Sequence, residues 1–299
     1  MKNFYSNGKI LLSGEYLVYY GAKAIGLPIK MGQNLIVSDR DDKLIDWTSY
    51  NNDKKIWFKC ILNESFKVIN TNDNSIAQRL QIIIKEIRML NPKFIITGKT
   101  IKTHLDFDYN WGLGSSSTLI NNLSSWAKIN PYSLLKNTFG GSGYDIACAS
   151  NNCPILFSKK NNNQLIKKVN FNPKFKENLF FIYLNNPQNS QKSLIDFKKI
   201  KLNMTEVIDE ISKISTDLLL CTSMNEFSEL INIHEKIIGK LLKIKPLIDT
   251  FPDYTGSVKS LGAWGGDFFL AIGPKNSLKY FENKGFKIGF TFDEFILQN

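Results

Sequence analysis

The chain has 299 residues, 43% of them hydrophobic, with 38 lysines and arginines against 27 carboxylates and a net charge of +11. That length fits two domains of ordinary size better than one, and no apolar run approaches the eighteen or so residues of a membrane span. Only Arg40, Arg79 and Arg88 are arginines, so the basic charge is nearly all lysine, which solvates a surface but lacks the planar fork that reads bases and phosphates. The densest lysine segments, Lys159-Lys160 with Lys167-Lys168 and Lys192 with Lys198-Lys199-Lys201, have no interleaved aromatic residues. Nucleic-acid binding is therefore disfavoured, and the positive field agrees with a small anionic substrate.

Cys60, Cys148, Cys153 and Cys221 have no metal-type spacing and are too sparse for a disulfide framework, so reduced thiols are expected. The two histidines, His104 and His234, are too few for a histidine metal cluster, and His234 is expected on the surface or in packing. Met1–Tyr5 leads into the first motif without an apolar signal region, so a cytoplasmic protein without membrane contact is expected, as monomer or homodimer.

In chain order, Phe4 through Val37 reads as β-rich, with further strands at Leu44–Trp47, Ile56–Ile61 and Phe94–His104. Ile76–Leu90 has the spacing of a helix, as do Ser115–Ala127, Tyr132–Lys136 and the short Tyr144–Ala149. Pro154–Ser158 and Leu165–Val169 read as strands. The polar stretch Asn170–Asn178 is the candidate linker between a domain at 1–169 and a second at 179–299. In the second, a strand at Phe180–Leu184 precedes amphipathic helices at Met204–Leu220 and Met224–Lys243. These helices are expected to cover one face of a sheet made with strands near Phe268 and Lys287, an α+β arrangement.

The most informative segment is Trp111-Gly112-Leu113-Gly114-Ser115-Ser116-Ser117-Thr118. Glycines let the backbone approach an anion, and the helix start behind them offers unpaired N–H groups and the positive dipole end. A Gly/Ser turn that merely caps a helix would read alike, but three other segments accompany it. They are Ser6-Asn7-Gly8-Lys9-Ile10-Leu11-Leu12-Ser13-Gly14-Glu15-Tyr16, Gly141-Ser142-Gly143-Tyr144-Asp145-Ile146-Ala147 and Lys259-Ser260-Leu261-Gly262-Ala263-Trp264-Gly265-Gly266-Asp267. In this order and spacing the four resemble the motifs of the GHMP kinases, which include galactokinase, homoserine kinase, mevalonate kinase and phosphomevalonate kinase. The resemblance spans nearly the whole chain.

It implies a two-domain α+β fold, with an N-terminal domain like domain 2 of ribosomal protein S5 and a ferredoxin-like C-terminal domain. It also implies ATP and Mg²⁺ as cofactors and a small anionic or alcohol acceptor. Gly112, Leu113, Gly114, Ser115, Ser116 and Ser117 would hold the triphosphate, with the Ser116 hydroxyl on Mg²⁺. Lys9 would stabilise charge on the reacting phosphates. Asp145 would act as base or as partner of the lysine. Ser13, Glu15, Ser142, Gly143, Tyr144, Ala263, Gly265 and Gly266 would line the acceptor site, Glu15 either orienting Lys9 or sitting near the metal. The Gly265-Gly266-Asp267 ending, and more weakly Asn189-Ser190-Gln191-Lys192-Ser193, look more like phosphomevalonate kinase than mevalonate kinase. Two features depart from the family pattern. Trp264 replaces a glycine and Trp111 precedes the loop, which would reshape the pocket, and Leu134-Leu135-Lys136-Asn137 lacks a metal-binding glutamate found there in mevalonate and homoserine kinases. Phosphomevalonate is the leading acceptor. The alternatives are mevalonate, homoserine, a sugar or another small alcohol, or a non-catalytic homologue that binds ATP or a metabolite.

Overall fold

A computed structural model describes residues 1–160, 163–185, 197, 204–262 and 267–298. The chain divides into two compact units, neither of them one continuous segment. The first comprises residues 1–8, 31–109 and 114–150, and the second residues 9–30, 110–113 and 151 onward.

The elements up to residue 150 are β1 (Lys2–Ser13), β2 (Ala24–Asp39), β3 (Ile45–Tyr50), β4 (Ile56–Leu62), β5 (Val68–Thr71), α1 (Asn74–Leu90), β6 (Lys99–Leu105), α2 (Ser115–Ala127), α3 (Pro131–Thr138) and α4 (Tyr144–Ala149). In the first unit the outer half of β2 pairs antiparallel with β6, and β6 runs parallel to β3. β3 then pairs antiparallel with β4, and β4 with β5. The alternation in β3 buries Ile45 and Trp47, and these meet Ile83, Ile84 and Ile87 of α1 and Ile120, Leu123 and Trp126 of α2 in one core. Local signals set the helix starts: Asp73 accepts the Ile76 N–H at 3.0 Å before α1, and Asn130 caps α3 ahead of Pro131.

The second unit adds β7 (Ile155–Lys160), β8 (Asn163–Lys168), β9 (Leu179–Tyr183), α5 (Thr205–Leu218), α6 (Met224–Leu242), β10 (Ser257–Ser260), β11 (Phe268–Ile272), α7 (Ser277–Asn283), β12 (Gly289–Thr291) and α8 (Phe292–Phe295). The inner half of β2 pairs antiparallel with β7 through Ala24, Ile25 and Gly26, and β7 pairs with β8. A separate antiparallel sheet runs in the order β10-β11-β9-β12.

This sheet differs from the expected one in being covered on both faces. Phe180 and Ile182 of β9 pack with Phe251, Phe269 and Phe281, while the Phe181 ring lies tilted against Phe292 and Phe295 of α8. All five residues of β9 are buried, as an uninterrupted apolar strand requires. Among the described residues no helix is long and apolar enough to cross a membrane, and the four cysteines are free thiols.

Candidate active site

In the second unit, Lys9 lies on β1 with only 9% of its surface exposed. Its Nζ donates to the Gly112 carbonyl at 3.1 Å, and its backbone N–H donates to the Leu113 carbonyl at 2.9 Å. The first motif and the front of the glycine loop are thus joined. Gly112 adopts φ +67°, and a Cβ there would lie 2.3 Å from the Asp267 carboxylate, so only glycine fits. Lys9, Gly112, Leu113, Leu261, Gly262 and Asp267 line one small cavity. Trp111 packs against Tyr183, Phe268 and Phe290 with ring centroids 5.8, 6.1 and 6.1 Å away, so its side chain anchors the loop on the aromatic face of the C-terminal sheet.

Ser13 and Glu15, expected to line the acceptor site, are fully buried with protein partners. The Ser13 hydroxyl shares a hydrogen bond of 2.8 Å with Ser215 of α5 and accepts the Ile25 N–H at 3.3 Å. The partners of the Glu15 carboxylate lie on β10 and α6. Its Oε1 is ion-paired with Lys259 of β10, and its Oε2 lies 3.2 Å from His234 Nε2 on α6. His234 Nε2 accepts the Gly14 N–H at 3.0 Å, which places the imidazole proton on Nδ1. Burial, with the Lys259 ammonium adding to it, holds His234 well below its usual range. Burial also pushes the Glu15 carboxyl up to about 7 against the pull of Lys259. Next to them Glu235 accepts the Ser260 N–H at 3.1 Å, the Ser260 hydroxyl at 3.0 Å and the Leu247 N–H at 3.3 Å. Burial raises its carboxyl too.

Sequence reasoning missed this network. One signal was present: α6 buries Phe227, Ile231, His234, Glu235, Ile238 and Leu241, so two ionisable residues interrupt an apolar stripe. The burial of Lys259 comes from tertiary packing and left no local trace.

In the first unit, Gly114 sits at φ +95° as the N-terminal cap of α2. The four hydroxyls behind it divide into two pairs. Ser117 donates to the Gly114 carbonyl at 2.8 Å and Thr118 to Gln33 Oε1 at 2.8 Å, and both are buried. Ser115 is half-buried and Ser116 exposed. At the start of α4, Gly143 has φ +95°, Asp145 is half-buried in the first turn, and Ser142 and Tyr144 are buried, the Ser142 hydroxyl accepting the Tyr144 N–H at 3.4 Å. α2 and α4 pack together, joined by an Asn121 Nδ2 donation to the Ala149 carbonyl at 3.4 Å. Leu134 and Leu135 are buried in α3, and Asn137 bonds Glu86 at 2.6 Å. Among the described residues no cluster of three His, Cys, Asp or Glu side chains is placed to hold a metal. Ala263, Trp264, Gly265, Gly266 and the segment Asn189–Ser193 lie outside the described residues.

Comparison with solved structures decides the fold. The Methanococcus jannaschii mevalonate kinase matches with a TM-score of 0.71 at 22% identity, over 100% of this chain and 98% of that one. The Streptococcus pneumoniae phosphomevalonate kinase, solved with phosphomevalonate and AMPPNP, matches with 0.71 at 15% identity, over 97% and 100%. This chain has the GHMP kinase fold. A third structure of that fold, the Lactococcus lactis galactokinase complexed with galactose, matches with 0.68 at 13% identity, over 97% and 92%. No protein-family model and no curated protein sequence matches the chain. Two helix starts in this chain are capped by glycine, at Gly114 and Gly143.

Proposed function

We propose that this protein is an ATP-dependent small-molecule kinase that phosphorylates phosphomevalonate. The observation that carries the reading is the glycine cap at Gly114 that presents the start of α2, with Ser115 half-buried and Ser116 exposed behind it. Backbone N–H groups at that helix start would hold the triphosphate. Ser116 suits Mg²⁺ because its exposed hydroxyl is not spent on the helix cap, unlike that of Ser117. The ion, when bound, would neutralise phosphate charge, keeping several waters and phosphate oxygens as its other ligands.

Lys9 supplies a fixed positive charge for the transferred phosphoryl group. Asp145 accepts the proton of an alcohol acceptor, or only orients groups if the acceptor is an already ionised phosphate. The Gly265-Gly266-Asp267 ending and the likeness to a phosphomevalonate kinase support the phosphate acceptor. The likeness to a mevalonate kinase keeps mevalonate as the second reading. An ADP-release assay with Mg-ATP against phosphomevalonate, mevalonate, homoserine and galactose separates them. Turnover of phosphomevalonate alone is expected. Turnover of another acceptor alone replaces the substrate, and binding of ATP without turnover of any would make the protein a non-catalytic homologue.

A further inference from the structure

Lys259 is a fully buried lysine in β10, and the strand runs directly into Leu261 and Gly262, which line the cavity beside Lys9. Glu15 stands two residues beyond the end of β1, the strand that carries Lys9. The charged and titratable groups facing Glu15 are Lys259 from β10 and His234 and Glu235 from α6. Four buried ionisable side chains are a poor way to obtain stability, since well-packed apolar residues of the same volume serve as well or better. Two polar atoms in the cluster, Glu15 Oε2 and His234 Nδ1, have no hydrogen-bond partner among the described residues. Nε2 of His234 has a single lone pair, which the Gly14 amide occupies. A proton on Glu15 Oε2, 3.2 Å from that nitrogen, would compete for it.

We propose that Lys259, His234 and Glu235 are positioning residues that act through Glu15. With Glu15 ionised on Lys259, the Gly14 amide stays on His234 and the end of β1 is held with Lys9 on the Gly112 carbonyl. With Glu15 protonated, its O–H takes the His234 lone pair and the turn is released. Burial sets the Glu15 transition at about 7, so both forms are populated near neutrality. The consequence for Lys9 rests on the kinase reading, whereas the release of the turn does not.

Hydrogen exchange of the peptide Lys9–Leu17, followed by mass spectrometry at one pH above 7, reads the turn directly. Glu15→Gln, whose amide donates to His234 as the protonated acid does, should raise exchange there about tenfold and leave the β3 peptide unchanged. Lys259→Met should act in the same direction, because Glu15 loses the cation that keeps it ionised. Stability supplies a second reading that needs no activity. The folded state binds the extra Glu15 proton between its unfolded value of about 4.3 and its folded value of about 7, so the Glu15 contribution to stability falls as pH rises through that window and is flat above it. His234, held below its usual range, contributes a rise, and Glu235 a further fall. The difference in stability between wild type and Glu15→Gln should therefore shrink as pH rises from about 4.3 to about 7 and stay constant above, and in Lys259→Met the Glu15 contribution should extend beyond pH 7. Unchanged exchange in a folded Glu15→Gln protein overturns the proposal. So does a wild-type kcat that does not decline below about pH 7, or a Glu15→Gln protein that keeps the decline. If exchange responds while no acceptor is turned over, the kinase reading falls and the release of the turn stands.

Discussion

At Lys9 the question is whether the ammonium binds or catalyses. Its aliphatic stem is buried and its Nζ is already held on the Gly112 carbonyl, so little reorganisation is needed to meet developing charge, which is where preorganised electrostatics act. Lys9→Met keeps the stem and removes the charge. Its kcat should fall by at least about a hundredfold, the scale for losing one transition-state contact. A rise in KM with kcat unchanged would make Lys9 a ground-state binder. On the proposed kinase reading, substitution of Asp145 distinguishes the two kinds of acceptor. For an alcohol, Asp145→Asn removes the proton acceptor and kcat should drop by roughly two to four orders of magnitude. For a phosphate the attacking oxygen is already ionised and the loss should be smaller. The smaller loss is expected, and a drop beyond about a thousandfold in a folded protein would make an alcohol the acceptor.

At the scale of elements, the proposed reading divides two neighbouring hydroxyls at the start of α2 between structure and chemistry. Ser117 donates to the Gly114 carbonyl while Ser116 is exposed. Ser117→Ala should therefore cost about 1 kcal/mol of stability, the usual net value of such a bond, measurable in urea. Ser116→Ala should leave stability unchanged and weaken Mg²⁺-dependent nucleotide binding. The reverse pattern in calorimetry would move the metal contact to Ser117. Both α2 and α4 were legible in the sequence with their observed bounds, because a glycine stops each turn and an apolar period follows. The strand expected from Phe94 begins only at Lys99, since Gly98 at φ +67° ends a turn there. β10 was not legible, as Ser257-Val258-Lys259-Ser260 has one apolar residue and its burial comes from α6. The glycine loops of the site could be read locally. The buried partners of Glu15 could not, because Lys259 and His234 lie more than two hundred residues away in sequence.

At the scale of the whole molecule, two divisions of the chain make different predictions. A linear division at 170–178 treats residues 179–299 as a domain with its own core, and Phe180, Val258, Phe269 and Phe281 do cluster within that range. The compact units instead assign residues 9–30 to the same body as the C-terminal half. Those residues supply the Gly14 amide to His234, the Glu15 carboxylate to Lys259, the Pro28 carbonyl to the Leu297 N–H at 2.9 Å, and the Ile29 bridge to Ile296. A fragment of residues 179–299 would keep the aromatic core but bury Lys259 without its carboxylate, a loss of about 3–5 kcal/mol for a broken buried pair. That is comparable to the whole stability of a small domain. The fragment alone should therefore show no cooperative urea transition by circular dichroism, and adding Lys259→Met should restore one in part, because the stranded charge is then gone. A fragment that unfolds cooperatively with Lys259 intact would favour the linear division and make residues 9–30 an accessory to a domain that folds without them.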